Sequence, residues 1–444
     1  MHQVTAEANP PAPLTPDLFL PKIVTVLREG YALNDLRADA VAGLTVAIVA
    51  LPLSMAIAIA SGTTPDRGLY AAIFGGFLVS LLGGSRFQIG GPAGAFIVLV
   101  AASMARHGLD GVLLATMIAG AILTIAGLLR IGTYIRYIPY PVTIGFTAGI
   151  AVIIFASQIR DLLGIRLTGS EPGELIAKLE TLARAAPTIN LTAVTISAVT
   201  IAIIMGVQKF RPAWPGMLIA VIVTGIAAGL LTLPVETIGT RFGGIPQSFP
   251  TPSLPEISIA KITAVLPDAF MFALLGAIES LLSAVVADGM TGRRHRSNSE
   301  LVAQGVANIG SALFGGICVT GTIARTATNV RAGARGPVAG MLHSVFLLAF
   351  MLIAAPLASY IPLATLAGVL AVVAWNMTEK HEFAQLLRAP DTAAILLATF
   401  LLTIFIGLAE GIAVGSLIGA LLFLYRKRKS DPLTGAKTQD DEFI

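Results

Sequence analysis

Arg325 stands in GGICVTGTIARTATNVRAGAR, residues 315–335, and the chain around it is mostly Ala, Val, Ile, Leu and Gly. The glycines break the apolar run, and the pattern predicts a short helix over 322–333 with Arg325 in its first turn. A second break, SRFQIGGPAG, precedes another short helix over 93–105. Helix starts leave backbone N–H groups unpaired and carry partial positive charge. Gly90, Gly91 and Gly94 allow close backbone approach. Pro92 suits a first-turn position, where its missing N–H costs least. Thr320 or Thr322 is placed to cap the second helix. Two such starts facing each other, with Arg325 between them, favour an anion in the gap. The plainer alternative pairs Arg325 with a buried carboxylate, or points it into a cytosolic vestibule.

Glu279 is the second unusual residue, inside FALLGAIESLLSAVVADGMTG and far from either end of that apolar run. Ser283 follows four residues later and shares its helix face. Burial favours the neutral form of a carboxyl group. Glu279 therefore suits a proton-coupling role, or with Ser283 a sodium site. The plainer reading is a neutral side chain bonded to a backbone carbonyl. Asp288 and the nearby Arg293–Arg296 run mark a membrane exit. Asn329, four residues after Arg325, either orients it or satisfies backbone. Glu410 caps or packs the last apolar segment, and Cys318 is a small packed residue.

Other chemistries find little support. A single cysteine excludes an intramolecular disulfide and a cysteine-built metal cluster. The five histidines, His2, His107, His295, His343 and His381, have no metal-ligand spacing. No nucleophile–base–acid or phosphate-loop pattern is present, so the expectation is no enzyme and no cofactor beyond a coupling proton or Na+. The net charge of +4 arises from cations between apolar runs and does not suggest nucleic acid.

The elements that hold these residues follow from composition. Hydrophobic residues make up 55% of the 444 and charged residues only 12%, half the usual charged share of about 25%. Apolar runs of 18 or more residues recur, each long enough to cross a hydrocarbon core of about 30 Å as a helix. Alternating ten-residue strands of a β-barrel are absent. The expectation is an all-α polytopic membrane protein, its partners the lipid bilayer and a small anion. Spans are read near 40–60, 67–82, 93–105, 110–129, 139–157, 191–206, 213–231, 262–287, 299–314, 322–333, 337–356, 361–376, 389–406 and 409–425. An interfacial helix is expected over 22–36 and a surface helix over 171–186. The divisions are an N-terminal arm (1–38), a first repeat (39–231), a polar Pro-rich loop (232–261), a second repeat (262–426) and a tail (427–444). The N-terminus lacks the basic and apolar regions of a signal peptide.

With both termini cytoplasmic, 20 of the 29 Lys and Arg fall on the cytoplasmic side and 8 outside, leaving Arg325 within. The positive-inside rule supports that orientation and an even number of crossings. The run at 426–429 carries the strongest single vote. The two short helices are the third spans of their halves. Paired, Gly-interrupted short segments at matching places mark an inverted-repeat transporter with its site between them.

These residues carry a family resemblance. PDRGLYAAIFGGFLVSLLGGSRFQIGGPAG, residues 65–94, resembles the signature of the SulP anion transporters, the superfamily that includes prestin. VADGMTG and TGTIARTATN resemble bacterial members, and the likeness runs over about 35–425. It implies fourteen spans in two inverted seven-span repeats, with core and gate domains and half-helices in spans 3 and 10 preceded by short extended strands. It places the anion at Ala93, Gly94, Ile323, Ala324, Arg325 and Thr326, with Leu53 and Ser54 of the first span. It places the coupling ion at Glu279, with Ser283. Members often have serine where Ala324 stands, and polar or aromatic residues where Ala50, Leu53 and Ala93 stand, so this pocket is less polar on that side. The family's usual C-terminal STAS domain is not expected in 427–444; the chain is either a member without one or truncated.

The reading is a secondary active anion symporter of a bacterial inner membrane, a monomer or a homodimer. Its substrate is sulfate or a small dicarboxylate such as fumarate, coupled to protons. Alternatives are a sodium-coupled bicarbonate transporter, an anion channel or exchanger, and a nucleobase permease of the same fold. A permease would read ring N–H groups with neutral or acidic side chains, against Arg325.

Overall fold

The structure is a computed structural model that describes residues 19–429, apart from 136–138, 170, 173 and 213. Residues 1–18 of the N-terminal arm, Arg136, Lys437 and the tail beyond 429 lie outside the described residues. In chain order the helices are α1 (Lys22–Gly30), α2 (Leu33–Ala60), α3 (Pro65–Tyr70), α4 (Gly76–Leu82), α5 (Ile97–Leu128), α6 (Gly132–Ile135) and α7 (Tyr140–Leu163). There follow α8 (Leu175–Arg184), α9 (Leu191–Phe210), α10 (Gly216–Leu230), α11 (Ile238–Phe242), α12 (Ile259–Thr291) and α13 (Ser297–Leu313). The last are α14 (Ile323–Arg331), α15 (Val338–Ala358), α16 (Leu363–Met377), α17 (Lys380–Leu386), α18 (Pro390–Phe405) and α19 (Leu408–Lys429). A π turn, Ala71–Gly75, joins α3 to α4, and a 3-10 turn, Gly94–Phe96, opens α5. A further 3-10 turn, Ala186–Thr188, follows α8, and two short strands, β1 (Gly90–Gly91) and β2 (Thr320–Gly321), complete the list.

Six stretches among the described residues are long and apolar enough to cross a membrane: Leu33–Ala60, Gly94–Leu128, Tyr140–Leu163, Leu191–Phe210, Ile259–Thr291 and Val338–Ala358. The difference from the sequence reading has physical causes. Gly108, at φ 66° and ψ −175°, interrupts the second stretch where two separate spans were expected; a left-handed φ is open to glycine without a Cβ penalty. Helix α13 carries buried Asn298, Glu300, Gln304 and Asn308, which lower its hydropathy. Helix α14 has nine residues, about 14 Å at 1.5 Å per residue. The interfacial helix expected over 22–36 is two elements: α1 ends at Gly30, and α2 begins at Leu33, inside the stretch read as the arm. The surface helix over 171–186 is α8, which buries Leu182.

The two halves of the chain interleave. Helix α5 packs on α12 and α13, and α2 and α4 pack on α15. Helix α7 packs on α16 and α18, and α9 packs on α10 and α16. Small residues allow this closeness: a Cβ on Gly43 would stand 2.5 Å from the Ala339 carbonyl oxygen. Without a hydrophobic drive between helices in lipid, close van der Waals contact is what holds them. Outward positions such as Leu230 and Ile353 are exposed and apolar, as hydrocarbon contact requires.

Strands β1 and β2 pair antiparallel, Gly90 with Gly321 and Gly91 with Thr320. Non-helical backbone at membrane depth must find its hydrogen bonds inside the protein, and polar side chains of α13 and α14 supply many of them. Asn308 bonds the Val319 carbonyl at 2.8 Å and the Val319 N–H at 2.9 Å. Ser311 donates to Ile317 O, and Thr320 to Gly276 O. Asn329 donates to Phe87 O at 2.9 Å, so it satisfies backbone and does not orient Arg325. Glu300 receives five donors: the N–H groups of Gly84 and Ser85, the amides of Gln88 and Gln304, and the Ser280 hydroxyl.

Candidate anion site

Arg325 is 2% exposed in the first turn of α14, behind the paired strands. Its Nη2 donates to Ser54 Oγ and to the Pro92 carbonyl, each at 3.2 Å. Its Nε and Nη1 have no hydrogen-bond partner, and no carboxylate pairs with it among the described residues. The buried-carboxylate alternative is thereby removed. A buried guanidinium without a counter-charge is costly and rarely idle.

The two helix starts beside it are uncapped. Ala93 precedes the turn that opens α5, and Thr322 precedes α14; neither helix has a side-chain cap. The expected caps work elsewhere: Thr322 donates to Ile89 O, and Thr320 to Gly276 O. Pro92 is not in the first turn as expected. It precedes Ala93, and its carbonyl steadies the arginine.

The other expected site residues divide by orientation. Ser54, fully buried in α2 two residues after Pro52, bonds Arg325 directly. Leu53 is buried beside it, and Ala93 is buried at the facing helix start. Ala324 is exposed, while Ile323 and Gly94 are half-buried, so the first turns of both helices open outward. Thr326 faces the opposite way. Its hydroxyl accepts from Ile89 N at 3.1 Å and from Ser283 Oγ at 3.0 Å, which ties α14 to the segment leading into β1 and to α12.

Glu279 lies in α12 at 8% exposure with no hydrogen bond or ion pair among the described residues. Among the described residues, neither the backbone carbonyl of the plainer reading nor Ser283 bonds it. Residues outside the sequence reading complete the surroundings. A Cβ on Gly94 would meet Ile154 Cδ1 at 3.4 Å and Met377 Sδ at 3.5 Å. These come from α7 and α16, so the helix start faces the other packed group. Apolar residues in an apolar helix give no sequence signal for such a position. A separate cavity lined by Asp161, Arg166 and Glu236 shares no residue with these surroundings, and Arg241 already pairs with both of its carboxylates.

Gly91 sets how near the guanidinium comes. A Cβ there would stand 2.1 Å from Arg325 Nη1. Gly91→Ala is expected to push the flexible side chain aside while leaving the fold intact. Anion affinity should fall by about tenfold or more, roughly 1.4 kcal/mol. Uptake KM and a melting curve read the two effects separately; an unchanged KM would place the anion elsewhere.

Comparison with known proteins adds the following. The model of the Sulfate permease family matches residues 36–400. YvdB of Bacillus subtilis, provisionally named a sulfate transporter, is 42% identical over 389 residues, covering 86% of this chain and 72% of that protein. The solved transmembrane domain of a cyanobacterium bicarbonate transporter, BicA, matches with a TM-score of 0.76 and 31% identity, over 87% of this chain and 98% of that one. The murine anion transporter Slc26a9 matches with a TM-score of 0.84 over 95% of this chain and 74% of that one; at 19% identity the likeness is one of fold.

Proposed function

The chain belongs to the sulfate permease family of membrane anion transporters, not enzymes, and from that premise we propose that it is a secondary active symporter holding its anion at Arg325. The observation that carries this reading is the uncompensated guanidinium between two uncapped helix starts. Both features favour negative charge at one point. The site comprises Arg325 with Ala93, Gly94, Ile323, Ala324, Leu53 and Ser54, while Thr326 and Ser283 prop the helix start from behind.

The architecture proposed is fourteen spans in two inverted repeats, 39–231 and 262–426, joined by 232–261. The group of α2–α5 and α12–α15 serves as a core and the group of α7, α9, α10, α16, α18 and α19 as a gate, with both termini cytoplasmic. The position of Gly94 against α7 and α16 supports a site at their boundary, which relative movement would open to either side. A homodimer is part of the same reading.

Sulfate leads as substrate, since YvdB carries that name and a tetrahedral dianion gains most from a guanidinium and converging N–H groups. A dicarboxylate such as fumarate has the same charge. Sodium-coupled bicarbonate uptake is the second reading, on the likeness to BicA. An inside-negative potential expels an anion at about 2.3 kcal/mol per charge per 100 mV, so accumulation needs a coupled cation. Glu279, buried without a partner, is proposed to carry the proton whose presence lets the core move.

Proteoliposomes loaded against labelled sulfate, fumarate or bicarbonate test this. Wild type should accumulate one of them under an inward proton gradient, and Glu279→Gln should lose accumulation while keeping exchange. Accumulation that is indifferent to Glu279→Gln removes it as the coupling residue; dependence on a sodium gradient favours the second reading.

A further inference from the structure

Resting on Arg325 as the anion's partner, we propose that Ile154 and Met377 set the class of anion carried: a compact oxyanion is accepted, and an extended dicarboxylate such as fumarate is excluded. The positive side of the site is a single point. Arg325 is the one buried lysine or arginine among the described residues, and its Nε and Nη1 have no hydrogen-bond partner. The helix starts that follow Ala93 and Thr322 add only partial charges. Such a point neutralises charge that is held within one small group.

The side across from the helix start is apolar. A Cβ on Gly94 would touch both Ile154 Cδ1, at 3.4 Å, and Met377 Sδ, at 3.5 Å. The gap between this helix start and the other packed group is therefore no deeper than a methyl group. Ile154 is fully buried and Met377 half-buried. Phe146, Ile150 and Ile154 recur at helical spacing on α7 and share one apolar cluster with Leu53 and Ala93, against which Met377 packs. On α16, Leu370, Val373 and Ala374 lie on the face of Met377.

This wall offers a second negative group nothing. The polar groups of α7 around Ile154 bond within their own helix: Thr147 donates to the Thr143 and Ile144 carbonyls, Ser157 to Ile154 O, and Gln158 to Ser157 Oγ. Arg160 lies in the last turn of α7. Helix α16 has no charged residue, and its Asn376 is exposed. Lys380, just beyond it, lies over the Trp375 ring, 3.2 Å from the centroid. Fumarate holds its two carboxylates at opposite ends of a rigid trans double bond. With one on Arg325, the other points toward the opening at Ala324, where it keeps the site from being enclosed, or against Ile154 and Met377, where it is dry and unpaired. An unpaired charge in an apolar place is strongly unfavourable. A tetrahedral or trigonal oxyanion keeps all its charge within reach of the one guanidinium. Selection here comes from what the wall refuses as much as from what Arg325 holds.

Binding of labelled sulfate, bicarbonate and fumarate, each alone, to the protein in nanodiscs tests this. Wild type should bind sulfate or bicarbonate about a hundredfold more tightly than fumarate. A preference under about tenfold overturns the proposal. Met377→Lys brings an ammonium to the gap and should narrow the preference by about tenfold or more, through tighter fumarate binding. A preference unchanged in that variant overturns the role given to the wall. If Met377→Lys does not fold, Met377→Ala and Ile154→Ala decide. The space they open admits water to the second carboxylate, so the preference should narrow severalfold, and an unchanged preference in both overturns the proposal. Arg325→Ala tells the two readings apart. Compact-anion binding lost there upholds the site, whatever fumarate does. Binding retained there, or no binding of any of the three anions to wild type, overturns the site and this proposal together.

Discussion

Arg325→Ala abolishes measurable anion uptake, with apparent affinity lowered by a factor of about 30 to several thousand. That range corresponds to the roughly 2–5 kcal/mol lost when one partner of a buried charge pair is removed. The anion is left facing two helix starts whose partial charges sum to less than the missing full charge. Stability should move the other way. The guanidinium makes two hydrogen bonds, to Ser54 and Pro92, and leaves Nε and Nη1 unpaired. Removing an uncompensated buried charge relieves its desolvation, so the empty protein should melt no lower than wild type. Arg325→Lys should fall between, since an ammonium keeps the charge but not the planar fork that grips an oxyanion in two places. Labelled-anion uptake beside a melting curve separates binding from folding. Uptake within threefold of wild type in Arg325→Ala would end the assignment of the site.

Glu300→Ala is expected to be the most damaging change to folding. Its carboxyl group collects five donors, and two of them are backbone N–H groups of Gly84 and Ser85 that a side-chain rotation cannot redirect. Each buried donor left dry costs about 1–3 kcal/mol. Several lost together in one place exceed what a marginally stable chain tolerates. The Gln88 amide, shared between Glu300 and Ser280, would also lose its main anchor. The segment that leads into β1 would then detach from α13, and the helix start at Ala93 would lose its aim at Arg325. Low yield and a melting temperature many degrees below wild type should be seen by fluorescence-detected gel filtration. Glu300→Ala protein that is monodisperse with an unchanged melting point would show that the strand is held without it.

The contrast between these two residues bears on what could be read before any coordinates. Both are buried ionisable residues, yet Arg325 was legible and Glu300 was not. Arg325 follows a glycine break and opens a short helix, a pattern with few purposes inside a membrane. Glu300 sits in SNSELVAQGVAN, a polar stretch that reads as a helix end near the surface. Its burial depends on Gly84 and Ser85, over two hundred positions away, folding against it. Thr326 shows another limit. Its place beside Arg325 suggests anion contact, and the contacts its hydroxyl makes with Ile89 N and Ser283 Oγ are not legible in the chain.

Composition, apolar run length and the two glycine breaks determined a helical membrane protein with a cationic point between short helices. Those properties belong to single segments: transfer to hydrocarbon depends on local apolar area, and a glycine break is a local backbone event. Pairing of β1 with β2, the five donors on Glu300, and the facing of Gly94 toward α7 and α16 were decided by tertiary structure. Each joins residues far apart in the chain through hydrogen bonds or contacts whose geometry depends on helix rotation and register. One sequence read along its length does not contain those angles; packing of the interleaved halves sets them.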